Sequence, residues 1–274
     1  MITYATLTQF RARLGLPAGD AETDARLLVA LRQATAQIDR FTARRFAPVV
    51  QTRRYAFHDP YSLRLDLDLL ELLAITNGDG QAIPPEAALL LPEGDGPRHA
   101  ILLQPAAGVW FVPGENPAAA IAVRGIWGTH DAWSEAWRSS GDALAAAVEA
   151  DTGQIAVGDA DGADAAGVSP RFQAGQLLRL GDEYLHVTAV DVTTDTLSVI
   201  RGVRGTTAAS HAAGASLAIY LPPEDVTALC LRWAAWLYQQ ADAAIGAGAD
   251  WLYPPDLPDD LHRLAAPLRY VRVA

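Results

Sequence analysis

Residues 51–83 read QTRRYAFHDPYSLRLDLDLLELLAITNGDGQAI, and their alternation decides whether this chain is a helical bundle or carries a β-rich body. Polar and apolar side chains alternate in short runs over 50–57, 63–67 and 72–77, the period of half-buried strands. Asn77-Gly78-Asp79-Gly80, set between Leu72-Leu73-Ala74-Ile75 and Ala82-Ile83, reads as a hairpin turn because Asn and Gly accept the positive φ that tight hairpins require. Pro84-Pro85 then removes backbone donors and ends the pairing. Further short strands are expected at 88–91, 101–104, 109–112 and 120–126.

Upstream the pattern is helical. Thr6 or Thr8 caps a short helix through Phe10 and Leu14 that stops at Gly15-Leu16-Pro17. Acidic Asp20 to Asp24 opens a stronger one, in which Leu27, Leu31, Ala34, Ile38 and Phe41 recur at spacings of four and three. It ends near Arg44-Arg45, and Pro48 closes it. Downstream, a tryptophan-rich run from Ile126 to Trp137 leads into an expected short helix from Asp142 to Val148. Residues 149–221 lose helix signals and read as strands at Gln154–Val157, Gln176–Leu180, Glu183–Val190, Thr196–Arg201 and Ser216–Tyr220, with a flexible acidic loop at Asp159–Gly167. Pro222-Pro223-Glu224-Asp225 starts a third helix with Val226, Leu229, Cys230, Trp233, Trp236, Leu237 and Ala241 on one broad face, ending at Gly246-Ala247-Gly248. A last short helix from Asp256 to about Pro267 precedes an extended Leu268–Ala274. The expectation is an α+β chain: a helical core, 1–148 plus 222–274, with a short-strand β region and an inserted small all-β barrel or sandwich at 149–221. Such an insertion, with closely spaced ends, should be removable and leave a folded remainder.

The chain has 274 residues and a formal net charge of -11, which argues against a general nucleic-acid coat because phosphate neutralisation needs a basic face. The charge is uneven. Residues 1–64 carry ten arginines against five acids, and 65–274 eleven against 27. All 21 basic residues are arginine, which excludes Schiff-base chemistry and a Walker A phosphate loop. The single cysteine, Cys230, allows neither an intramolecular disulfide nor a cysteine-based metal cluster, as suits a reducing cytosol. No signal-peptide core and no run of about 18 apolar residues is seen, so no export and no membrane partner are expected.

Six histidines form no HExxH pair, and no G-x-S-x-G elbow or G-x-G-x-x-G loop occurs. His130-Asp131 has the chemistry of an acid/base pair, but its Gly-rich turn favours hydrogen bonding to the backbone. Asp159, Asp161 and Asp164 have a calcium-loop flavour, against which stands a plain solvated loop without a closing Glu. Asp182, Glu183 and His186 are acid/base-capable within a strand pattern that already explains them. Arg44-Arg45 and Arg53-Arg54 flank a helix-to-strand corner and either grip phosphates or carboxylates or form a solvated edge. Trp127, Trp133, Trp137, Trp233 and Trp236 make either a sugar-stacking platform or core and interface packing. No catalytic residue, cofactor or metal site is expected; the candidate partner-interface residues are Arg44, Arg45, Arg53, Arg54, Trp127, Trp133 and Trp137.

An ordered set of motifs then carries a resemblance. Asp24, Leu27, Leu28, Leu31, Ala34, Ile38 and Asp39 are followed by Phe41-Thr42-Ala43-Arg44-Arg45-Phe46-Ala47-Pro48, Thr52–Tyr55, Leu63–Asp66, Asp68–Leu72, Ile75–Gly80 and Ala120–Gly128. Over residues 3–140, with a similar ending at 224–244 and Pro258–Arg269, the chain resembles the head-to-tail connector (adaptor) family of tailed bacteriophages and prophages. Phe172–Tyr184 and Val199–His211 look like small β-modules of phage tail and fibre proteins, a departure from an ordinary connector. The resemblance implies a homo-oligomeric ring, twelvefold like the portal it would sit under, that joins head to tail in the virion after assembly in the host cytoplasm. Its partners would be copies of itself, the portal protein and a tail terminator or tail-tube protein. Genome DNA would pass through without sequence-specific binding, along a channel that the acidic residues 65–274 would help to line. A tail or baseplate component, or a receptor- or glycan-binding module, are the alternatives.

Overall fold

A computed structural model describes residues 1–17, 19–247 and 257–270. The described chain is mostly β: two antiparallel sheets of six strands each, against four helices. This overturns the expectation of a helical core. The chain divides into two compact units, residues 45–135 and residues 1–44 with 136–274.

In the second of these units, helix α1 (Leu7–Leu14) begins at a Thr6–Gln9 capping box and ends on Gly15 at φ 68°. Helix α2 (Ala21–Thr42) is capped by Asp20, whose side chain accepts from the Thr23 N–H. Leu27, Leu31, Ala34 and Ile38 are fully buried on one stripe, as their spacing requires, while Phe41 is half-buried and meets Trp233 edge-on at 5.9 Å.

The 45–135 unit holds β1 (Val49–Tyr55), β2 (Ser62–Thr76), β3 (Ala82–Ile83), β4 (Ala88–Leu91), β5 (Arg98–Leu103) and β6 (Ile121–Trp127), in the order β1-β6-β2-β5-β4 with β3 on the end of β2. The hairpin read at Asn77–Gly80 is present, with Ile75 opposite Ile83 and the Gly80 N–H on the Asn77 carbonyl. The runs read as separate strands at 63–67 and 72–77 are one 15-residue strand, bulged between Arg64 and Leu69 and twice more against β6. Residues 109–112 form no strand; the Phe111 and Val112 N–H groups bond to the Pro60 carbonyl and the Asn77 side chain. One face of the sheet buries Leu63, Leu69, Ile75, Ile101, Val123 and Trp127.

The other sheet is β7 (Trp137–Ala143), β8 (Gln154–Ala156), β9 (Leu177–Leu180), β10 (Glu183–Asp191), β11 (Thr196–Ile200) and β12 (Ser216–Tyr220), in the order β7-β12-β9-β10-β11-β8. Its two edge segments meet at a Leu144–Val157 bridge, which closes the sheet on itself around Phe172, Leu178, Leu185, Leu197 and Ile219. No helix forms at 142–148. Leu144 and Val148 instead pair by backbone with Ala215 and His211 and point into this core, so long-range pairing overrides the helix propensity of the alanines. The β body therefore starts at Trp137, which pairs with Tyr220, and the Leu221 N–H bonds to the Ala136 carbonyl where the chain leaves.

Helix α3 (Glu224–Ala247) packs on α2, and α4 (Asp259–Ala265) follows. The expected end of the third helix at Gly248, the start of the fourth at Asp256 and most of the extended terminus lie outside the described residues. Cys230 is buried on α3 with Sγ 3.7 Å from the Thr35 hydroxyl, and burial pushes its thiol pKa up to about 12, so it packs as a small hydrophobe. The barrel is not an appendage to these helices. The Thr3 N–H bonds to the Gly175 carbonyl and the Thr8 N–H to the Gln173 side chain, with Tyr4 buried between.

Candidate functional site

A dense polar cluster lies on the barrel. Glu183, the first residue of β10 and 1% exposed, receives Arg201 Nε and Nη2 at 2.7 Å each, the Gly202 N–H at 2.9 Å and the Ala209 N–H at 3.2 Å; His211 Nε2 stands 2.9 Å away. Burial alone would raise the Glu183 pKa, but these donors outweigh it and hold the carboxyl below its ordinary value. Arg201 Nη1 in turn reaches the Glu149 and Thr152 carbonyls. Gly202 sits at φ 58°, and a Cβ there would lie 2.8 Å from the Ala208 nitrogen, so the Arg-Gly pair is fixed by geometry as well as charge. A carboxylate with its lone pairs engaged and its proton affinity lowered is a poor general base and a strong pin. It fastens the 201–211 loop to the barrel.

His186, three residues along β10, is 4% exposed, and its Nε2 has no hydrogen-bond partner among the described residues. Burial first, then the Met1 amino group and Arg32, bring its pKa down to about 4, so the ring is neutral at pH 7. Between an unfolded value near 6.5 and about 4, the unfolded chain binds a proton that the native chain refuses. Stability is therefore expected to be full above pH 6.5 and to fall toward pH 4 by up to about 3 kcal/mol. Urea unfolding across that range measures it; His186→Leu should flatten the slope, and an unchanged slope in the variant would refute the assignment.

The expected interface residues are divided between the two units. Arg44 and Trp137 belong to the unit formed by 1–44 and 136–274; Arg45, Arg53, Arg54, Trp127 and Trp133 belong to the 45–135 unit. Arg44 lies over the Tyr270 ring at 5.7 Å, and Arg45 is exposed while its carbonyl accepts from the Thr129 N–H. Arg53 is engaged: it pairs with Asp66, its Nε 3.1 Å from Oδ1, and lies over Trp127 at 5.6 Å. The Tyr55 hydroxyl donates to the same carboxylate at 2.8 Å. Burial opposes the charge on Asp66, but the Arg53 and Tyr55 hydrogen bonds outweigh it and keep its pKa low, while burial and Asp66 push the Tyr55 phenol up. Arg54 points to the opposite face and is exposed, with a 3.5 Å contact to the Ala119 carbonyl.

The tryptophans do not assemble a platform. Trp127 and Trp233 are buried, the first donating to the Gln51 carbonyl at 3.0 Å and the second to Gln37 at 2.7 Å. Trp133 is half-buried, 3.4 Å from Glu71 and edge-on to His130. Trp137 is packed between Tyr184 and Tyr220 beneath Arg179. Trp236 lines an apolar groove of about 580 Å³ with Phe41, Trp233, Leu237 and His262.

His130 uses Nδ1 to accept from the Ala132 N–H at 3.1 Å, the turn-backbone role. The loop expected to be flexible at 159–167 is fastened. Asp164 is buried against Arg138 and accepts the Ala166 and Val168 N–H groups, while Asp159 accepts from Gly162 and Arg171. No group of three or more His, Cys, Asp or Glu residues among the described residues is arranged to hold a metal ion. Sequence reading passes over Arg124, whose place in Ile121-Ala122-Val123-Arg124 sets it on the face opposite Val123, beside Arg54. It also passes over Arg201 and His211, the partners of Glu183. No family model, curated protein or solved structure matches this chain.

Proposed function

We propose that this chain is a structural virion subunit, a head-to-tail connector whose copies close a ring between portal and tail and leave a channel for DNA. The observation that carries the reading is the ordered motif set from Asp24 to Gly128, because its separate pieces work together in the fold. Leu27, Leu31, Ala34 and Ile38 fill the buried stripe of α2. Arg53 and Tyr55 from one piece meet Asp66 from the next in a single hydrogen-bonded group, and Asn77 in a third sets the hairpin turn. In this reading no reaction is catalysed, and the work is geometric: head-to-tail contacts between identical subunits close the ring, one face of which meets the portal and the other the tail.

One observation favours a tail or baseplate component as the second reading. The run Val199–His211 that looks like a tail-protein module supplies both Arg201 and His211 to Glu183, so the module's own residues are those that fasten its loop. Light scattering of the purified chain, alone and mixed with the portal protein, followed by negative-stain imaging, separates the two. A ring, formed alone or only on the portal, is the expected result. A monomer that ignores the portal would sink the connector reading, and capture by a tail-tube protein instead would establish the second.

A further inference from the structure

The outer face of the β1-β6-β2 sheet carries two exposed arginines, of which Arg54 contacts only the Ala119 carbonyl at 3.5 Å. Cross-strand register places Thr52 and Ala74 on either side of Arg124, and Arg54 beside Ala122, so Arg54 and Arg124 are diagonal neighbours. Both are exposed, and neither makes an ion pair among the described residues, unlike Arg53 one position away. Their directly paired neighbours Thr52, Ala74 and Ala122 are short, and Glu71 stands diagonal to Arg124. Val50 and Ile126, opposite one another and half-buried, add an apolar strip. The face thus has the make-up of a protein interface with two bidentate donors for carboxylates.

We infer that this face docks the acidic barrel of a second copy of the chain, a contact that rests on the ring reading above. Charge complementarity selects the occupant. Residues 137–221 hold ten acids against five arginines, and Asp151, Asp159, Asp161, Asp182 and Asp191 are exposed there. Duplex DNA is the poorer occupant: the 45–135 unit carries eleven acids against six arginines, and Glu71 stands on the same face opposite Ile126. Phosphate binding needs a continuous basic field, whereas a pair of arginines in an acidic surround suits discrete carboxylates. A face on one unit meeting the barrel of the next copy is also a heterologous contact, the kind that closes rings.

Sedimentation velocity of the full chain tests this, comparing wild type with R54E/R124E and with R54Q/R124Q, each checked by thermal melting. Wild type should self-associate, less so as salt rises, and the double reversal should weaken association by about tenfold or more without moving the melt. If the reversal disturbs the melt, the neutral pair decides. Wild type and variants associating alike would overturn the inference and leave the ring reading intact. A wild type that stays monomeric even on the portal would overturn both. Loss of portal binding with self-association intact would reassign the face to the portal, and wild-type binding to a 30-base-pair duplex that the reversal abolishes would reassign it to DNA; either result rejects the second copy.

Discussion

Glu183→Ala is expected to cost about 3–5 kcal/mol of the stability of the barrel and its helices, because it leaves the Arg201 charge buried with no counter-charge. The side chain of Arg201 is 6% exposed and that of Glu183 1%, so water cannot take over the lost contacts. Against a total stability of roughly 5–15 kcal/mol, this removes a third or more of the total in most of that range and unfolds a large part of the population only where the total lies near 5 kcal/mol. Urea unfolding followed by far-UV circular dichroism reads it directly. Glu183→Gln should fall between wild type and alanine, since it keeps an acceptor but not the charge. Glu183→Leu combined with Arg201→Met should cost less than Glu183→Ala alone, because removing both charges abolishes the uncompensated one. A catalytic carboxylate would give the opposite pattern, with alanine tolerated in stability; a loss below about 1 kcal/mol would remove the pin from this account. The sign with pH follows from the lowered carboxyl: the stabilisation is present above the unfolded value near 4.5 and is lost as pH falls through the lower folded value.

What was legible in the sequence was local. The α2 stripe needs only the helix period, the Asn77–Gly80 turn only positive φ, and the strands from Gln154 to Tyr220 only alternation. What was hidden depends on residues far apart in the chain. Ala143 to Val148 has helix propensity and becomes barrel wall because Leu144 finds Val157 and Val148 finds His211. The aspartates that seem to break up 62–76 are tolerated because each has a distant partner: Arg53 and Tyr55 for Asp66, and the Thr129 hydroxyl for Asp68. Arg53 and Arg54, adjacent in the chain, part for a related reason. Consecutive strand residues face opposite ways, so Arg53 stacks on the core side with Trp127 while Arg54 joins Arg124 outside. Charge alone did not distinguish the ion-paired Arg53 from the exposed Arg54; register did.

Deleting residues 149–221 is expected to unfold the rest of the unit to which the barrel belongs, contrary to the clean excision that the sequence suggested. The cut falls inside the β body. It removes β12, the partner of β7, and strands Leu144 and Val148 without the core they line. It strips Tyr184 and Tyr220 from Trp137, and takes away Gly175 and Gln173, to which Thr3 and Thr8 are bonded on either side of the buried Tyr4. Each loss exposes apolar surface or orphans a backbone donor, and together they exceed what helices α1, α2 and α3 could hold alone. The 45–135 unit should respond differently. It has its own core around Leu69, Val123 and Trp127, and its two ends are tied by the Thr129 N–H to the Arg45 carbonyl. The deletion variant should therefore keep one cooperative transition from 45–135 and lose the other, with native hydrogen-exchange protection confined to β1–β6. Protection persisting in α2 and α3 at wild-type levels would show that the helices stand without the barrel and that the body inserted between them is separable after all.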